Sequence, residues 1–141
     1  MRKIDKLSYV EEIATFFASF CSADVAFFIG CQFALESNYG QSSLAFRHHN
    51  HCGMKEPHVR VTLSLPGTSS GFASYTSLMS CMIDYSLWLA YNKFTSLQLF
   101  KLELFKQRLV ACGYCPEKDY VSLIQSIYEN LQNYKQNEQV K

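Results

Sequence analysis

No long run of like charge crosses this sequence before its tail, and its charges almost cancel, leaving a formal net charge of +1. A protein held on nucleic acid by phosphate contacts needs a basic stripe, so this shortage argues against that class. It leaves a neutral polysaccharide partner open. The chain also lacks an uninterrupted membrane-length apolar run. Residues 13–35 have spanning length, but Asp24 and Gln32 break the stretch, and "CSAD" reads as a helix break with an N-cap. Two short buried helices are expected there, with no membrane insertion. The opening "MRKIDKLSYVEEIATFF" is basic at its start yet has no signal-peptide core, because Asp5, Lys6, Glu11 and Glu12 interrupt it. With no targeting segment visible, synthesis in the cytoplasm is expected, and action outside it requires non-classical export or delivery. No internal repeat or linker divides the 141 residues.

What is present is apolar bulk: 48% hydrophobic residues, 15% of the total aromatic, enough to build one sizeable core. One domain over residues 1–141 is expected, monomeric, with 136–141 as a frayed tail. The six cysteines are too sparse for a small disulfide scaffold. Several fall inside apolar helical patterns, where a reduced thiol serves as a small hydrophobe. "CGYC" at 112–115 follows a long helical pattern and reads as a helix end, where a thioredoxin-type motif would follow a strand.

Periodicity predicts a mostly helical α+β domain. A first helix is expected over residues 8–20, with Ser8 and Glu11 as a capping box. A second is expected over about 23–37, stopped at "NYG" by Gly40. Residues 41–57 read as loop or short turns. "HVRVTLSLP" alternates strictly, with Val59, Val61, Leu63 and Leu65 on one face. Together with the turn "PGTSSG" and a returning "FASY", it predicts one small β-hairpin. From Ser77 the pattern is helical again, through "LQLFKLELFKQRLVACG" to Gly113, and a last helix starts near residues 116–118.

Two constellations carry possible chemistry. In the second helix Glu36 shares a face with Ile29, Gln32 and Phe33. A carboxylate ending an apolar face is partly desolvated, which raises its pKa toward the range of a general acid; capping a buried helix end is the plainer reading. "FRHHNHCGMK" gathers His48, His49, His51 and Cys52, all metal-ligand types. Neighbouring residues do not easily converge on one tetrahedral ion, and no second ligand pair stands at suitable spacing. No metal or cofactor is expected.

"ALESNYGQSSLA" at 34–45 resembles the glutamate motif of the glucosaminidase family of peptidoglycan hydrolases, glycoside hydrolase family 73. Further segments follow in family order. "HNHCGMK" keeps Asn50, Gly53, Met54 and Lys55 in register, "FASYTS" at 72–77 contains Tyr75, and "CGYCPEKDYVSLI" aligns Gly113, Tyr114, Asp119 and Tyr120. The resemblance covers roughly residues 24–130. It implies a lysozyme-like fold and cleavage of the β-1,4 bond after N-acetylglucosamine in peptidoglycan or a related glycan. Glu36 becomes the catalytic acid, and Tyr120, lining the cleft beside it, a second catalytic residue that orients the acetamido group or water. Tyr39, Asn50, Gly53, Lys55, Tyr75 and Tyr114 become substrate-binding candidates, with ordinary packing the alternative for the tyrosines. The family often carries a second acid in the hairpin, and residues 57–83 contain no Asp or Glu. Glu56, at the mouth of that segment, is the nearest substitute for the second carboxylate. Without one, an inverting mechanism lacks its base. Participation by the substrate acetamido group, a lytic transglycosylase using the single glutamate, and an inactive glycan-binding module all stay open. So do delivery by a secretion apparatus, by a lysis system, or as part of a longer protein.

Overall fold

The computed structural model describes residues 1–68 and 70–139. Among them lie seven helices: α1 (Lys3–Phe17), α2 (Ala23–Ser37), α3 (Ser43–His48), α4 (Leu78–Tyr91), α5 (Ser96–Phe100), α6 (Leu102–Ala111) and α7 (Tyr120–Gln139). None is long and apolar enough to cross a membrane.

Helix α2 is the axis of the fold. The Ser22 side chain caps its start by accepting from Val25 N–H, and every residue from Val25 to Ala34 is buried. A helix apolar on all sides must be surrounded, and α1, α5, α6 and α7 pack around it. Gly30 permits the tightest of these approaches: a Cβ there would stand 2.6 Å from the Val10 carbonyl oxygen on α1. Phe17, Phe33 and Tyr85 close the centre, their rings 5.3–5.8 Å apart and edge-on, a favoured aromatic geometry.

Several boundaries differ from the sequence expectation. Helix α1 begins at Lys3, five residues early, and the Ser8 hydroxyl bonds back to the Ile4 carbonyl instead of capping. The salt bridge of Arg2 with Asp5 sits at that earlier start. Helix α2 does end at Ser37, but Asn38, not Gly40, is its left-handed cap at φ 49°. The long pattern over 97–113 is two helices parted at Lys101, whose extended backbone breaks the run. Helix α7 continues through Gln139, into the segment expected to be a tail; residues 140 and 141 lie outside the described residues.

The main correction concerns the hairpin. No strand forms among the described residues; one isolated antiparallel bridge joins Lys55 to Phe72. Beside it, Ala73 N–H bonds to the Met54 carbonyl and Glu56 N–H to the Gly71 carbonyl. The segment expected to return therefore pairs mainly with residues 54–56; it meets the outgoing segment at one backbone bond, Leu65 N–H to the Ser74 carbonyl at 2.8 Å, and residues 60–63 are organised by a side chain. A buried carboxylate, Asp84 on α4, accepts from both Arg60 terminal nitrogens (3.1 Å each), from Thr62 Oγ1 (2.8 Å) and from Leu63 N–H (2.9 Å). With Leu63 N–H and the Arg60 and Thr62 side chains turned to Asp84, the single Leu65–Ser74 bond does not extend into a ladder. The alternating Val59 and Val61 face solvent, 77% and 80% exposed. Alternation reported a geometry that a single buried acid overrides.

Candidate active site

A groove of about 490 Å³ opens between residues 53–60, the end of α4 and residues 112–116. That volume suits a small-ligand site. One side carries Gly53, Lys55, Glu56 and Arg60; Trp88 and Tyr91, one turn apart on α4, line another, and Tyr114 and Pro116 complete it. Trp88 meets Tyr114 edge-on at 4.8 Å, and Tyr114 stacks on Tyr120 at 6.0 Å with 18° between planes. These rings lead from the groove toward Glu36.

Glu36 does not line the groove directly; it meets it at Gly53. A Cβ on Gly53 would overlap the Glu36 Oε2, and Gly53 also takes φ 70°, which glycine adopts without strain. Burial raises the Glu36 pKa above its ordinary value. A hydrogen bond with Tyr120 opposes that rise, and the charge of Glu117 adds to it. An upward shift keeps the proton on this carboxyl to a higher pH than on an exposed glutamate, the direction that general-acid chemistry requires.

The segment bearing Gly53 is held by Asn50. This residue is buried, donates from Nδ2 to the carbonyls of Met54 and Ala73 at 2.9 Å each, and accepts from Gly53 N–H at 3.0 Å. The Tyr114 hydroxyl donates to the Cys52 carbonyl, tying residues 112–116 to the same segment. His51 anchors it from behind: its Nδ1 lies 2.7 Å from the Tyr9 hydroxyl, itself 3.0 Å from Ser37 Oγ. Burial, then the nearby His49, lowers the His51 pKa to about 4.

The structure thus separates the sequence-derived candidates into four groups. Glu36 and Tyr120 meet; Gly53, Lys55, Glu56 and Tyr114 line the groove. Asn50 and Tyr75 are internal braces, the latter buried with its hydroxyl 2.6 Å from Asp84 Oδ2. Tyr39 is elsewhere, packed on Tyr9 and under the Lys6 ammonium at 5.2 Å. Glu56 accepts from Thr68 Oγ1 (2.6 Å), Thr68 N–H and Gly67 N–H. The Thr68 hydroxyl leads these bonds in holding the Glu56 pKa below its ordinary value.

The ligand-type residues diverge. His48 Nδ1 lies 3.2 Å from Ser74 Oγ, His51 faces Tyr9, and Cys52 Sγ lies 3.7 Å from Cys81 Sγ. Among the described residues no three His, Cys, Asp or Glu side chains gather as a metal site. All six cysteines are free, and Cys112 caps α6. Sequence reasoning passed over Trp88, Tyr91, Asp84 and Glu117. The lone acid inside the apolar pattern "SLMSCMIDYSLWLAYN" was the available signal for Asp84.

The sequence pattern of the glucosaminidase family, described as mannosyl-glycoprotein endo-beta-N-acetylglucosaminidase, matches residues 25–133. The chain belongs to the glucosaminidase family. That places it among the glycoside hydrolases. Comparison with curated proteins by sequence gives no match. Among solved structures, a chain of a type VI secretion system effector–immunity complex from Pseudomonas protegens is similar with TM-score 0.65 and 15% identity. That similarity covers 92% of this chain and 93% of the other. The catalytic domain of the autolysin Auto from Listeria monocytogenes is similar with TM-score 0.59 and 18% identity, covering 92% of this chain and 87% of the other. At such identities the likeness shows a shared fold.

Proposed function

We propose that this glucosaminidase-family protein is a cell-wall glycosidase that cleaves the β-1,4 bond after N-acetylglucosamine in peptidoglycan, with Glu36 as the general acid. The carrying observation is the half-buried Glu36 carboxyl, uncovered at Gly53 where the aromatic-lined groove reaches it. Glycosidic cleavage needs a proton delivered to the leaving oxygen while positive charge develops on the sugar. A protonated Glu36 supplies that proton, and the carboxylate left behind is steadied by Tyr120. Trp88, Tyr91 and Tyr114 offer ring faces for the sugars, and Lys55 a cation for substrate carboxylates. The autolysin and effector-complex likenesses agree with a cell-wall target, reached by export or delivery.

The test is digestion of purified peptidoglycan by the native protein and Glu36→Gln, with new chain ends identified by mass spectrometry. Reducing N-acetylglucosamine ends are expected from the native protein, and a loss of about 10²–10⁴-fold from the variant. One observation favours a second reading: the Glu56 carboxylate is engaged by Gly67 and Thr68. Anhydro-muramyl ends would accordingly mark a lytic transglycosylase working with a single glutamate. Glycan binding without new ends would sink both and leave a non-catalytic module.

A further inference from the structure

We propose that Gln32, one turn before Glu36 on α2, is a positioning residue that fixes the Tyr120 hydroxyl as a hydrogen-bond donor to Glu36. Gln32 is wholly buried, 0% exposed. Its Oε1 lies 2.6 Å from the Tyr85 hydroxyl and its Nε2 lies 3.0 Å from the Tyr120 hydroxyl. The two lengths match an O–H···O bond and an N–H···O bond respectively. Tyr85 is also buried, and Gln32 is the hydrogen-bond partner its hydroxyl has among the described residues. A buried hydroxyl that donates to Oε1 sets the amide, turning its N–H toward Tyr120. The Tyr120 oxygen then receives a hydrogen and its own proton is left for Glu36.

The direction of this chain matters because a tyrosine hydroxyl can serve either way. With the amide reversed, Tyr120 would donate to Gln32 and turn a lone pair toward the carboxyl. The observed bonds run from Tyr85 to Gln32 to Tyr120; Tyr120 neighbours Glu36 and lowers its pKa, so the proposed donor is in place before charge develops. Resting on the reading of Glu36 as the acid, the step is simple to balance. The Glu36 proton passes to the leaving glycosidic oxygen, and the C–O bond breaks with its electron pair going to that oxygen. The remaining carboxylate is received by a hydroxyl that keeps its own proton. No proton travels along the chain. Preorganised donors of this kind favour the charged state without reorienting. The ionisable groups around Glu36 are Tyr120 on α7 and, from the segment before it, Glu117 and Tyr114; the facing loop contributes Gly53, without charge.

The experiment is a carbon-13 NMR titration of the Glu36 carboxyl in the native protein, Gln32→Met, Tyr120→Phe and the double variant, with circular dichroism confirming the fold. Gln32→Met is expected to raise the Glu36 pKa in the same direction as Tyr120→Phe, and the double variant to add little to Tyr120→Phe alone. Tyr85→Phe, which removes one hydroxyl and no volume elsewhere, provides the variant safest for folding; its amide is freed to turn, and a smaller rise is expected. In turnover assays Gln32→Met should lower kcat about tenfold, leave KM unchanged and move the alkaline limb of the pH profile upward. An unchanged Glu36 titration in both Gln32→Met and Tyr85→Phe, or full additivity in the double variant, would overturn the proposal. The titration reads the chain whether or not peptidoglycan is cut, so failure of the glycosidase reading shows separately, as absence of new chain ends from the native protein.

Discussion

The two sides of the groove are built by opposite means. On one, α2, α4 and α7 bring Glu36, Trp88 and Tyr120 together through helices and ring packing. On the other, the described residues within 53–75 contain one isolated bridge and are pinned by three polar side chains: Asn50, Glu56 and Asp84. The acid is thus mounted on a rigid, densely apolar body, and the opposite side is a loop pinned at a few points. Substrate-shaping segments are commonly drawn from the less regular part of a fold, while reacting groups benefit from rigid support. The difference also predicts that damage will be local on the loop side and global on the helical side.

The largest effect should come from Asp84→Ala. It removes a carboxylate that is 0% exposed and leaves Arg60, 5% exposed, without its counter-charge. Breaking a buried pair in this way costs about 3–5 kcal/mol. Truncating a core ring such as Phe33 costs a similar amount, about 3–5 kcal/mol, so the urea midpoint alone does not separate the two sides. Limited proteolysis does. Asp84→Ala should admit cleavage within residues 57–71 before global unfolding, and Phe33→Ala should not. Equal patterns from both variants would erase the contrast between pinned loop and packed body.

Next in size is Gly53→Ala, placed where the two sides touch. The added methyl would overlap Glu36 Oε2 and force a residue with φ 70° off the region that suits it. The clash displaces either the carboxyl or the loop, and misplacement on the order of 1 Å costs roughly 10²-fold in turnover. Far-ultraviolet circular dichroism should stay unchanged while kcat falls. Retained turnover would show that Gly53 serves the loop alone.

The same contrast explains what was legible in the sequence. The span of helix α2 was readable because local capping and burial agree there: Ser22 caps its start and its last residue is Ser37, although Asn38 and not Gly40 supplies the stop. Glu36 stood out as a candidate because its face and its motif pointed the same way. Residues 58–65 misled because alternation is evidence of a strand only when the backbone donors lack a better partner. Asp84, more than twenty residues downstream in sequence, is that partner for Leu63. Tyr75 and Asn50 were visible as important positions, but only packing shows that they brace the loop from inside. The start of α1 was missed because Arg2 and Asp5 make an earlier terminus than the Ser8 pattern.

A smaller effect should reverse the usual sign of mutation. Burial raises the folded pKa of Glu36, so its charged form opposes folding. Below the ordinary glutamate value of about 4.3 the side chain is protonated in both folded and unfolded chains, and Glu36→Gln should be neutral there. As pH rises through that value and past the raised folded one, the native protein loses stability that Glu36→Gln retains. The Tm of the variant should therefore exceed the native Tm at pH 7 and converge with it near pH 3. His51 works in the opposite sense and serves as the control from the loop side. Its folded value of about 4 lies below the ordinary 6.5, so its contribution is present above pH 6.5 and is lost as pH falls toward 4. A variant Tm equal to the native one at pH 7 would mean that Tyr120 fully offsets the burial of Glu36.

The smallest shift concerns Glu117, the acid whose charge is felt at Glu36 among the described residues. It is exposed and precedes Tyr120, whose N–H bonds to the Glu117 carbonyl at 3.3 Å. Removing its charge in Glu117→Gln takes away a repulsion that raises Glu36, so the Glu36 titration should move down, and the stability gained by Glu36→Gln should narrow. An inverting glycosidase needs a second carboxylate across the scissile bond, roughly 6.5–9.5 Å from the acid. Glu56 faces the groove but is bound by Thr68 and Gly67; Glu117 stands on the helical side with Glu36 itself. The rate of Glu117→Gln separates two routes by which a hydrolase could work at this site. A hundredfold loss with the fold intact would make Glu117 the base that activates water. A displaced pH limb with nearly native turnover at the optimum would leave the attack to the substrate's own acetamido group, and put all the protein's acid–base chemistry in Glu36.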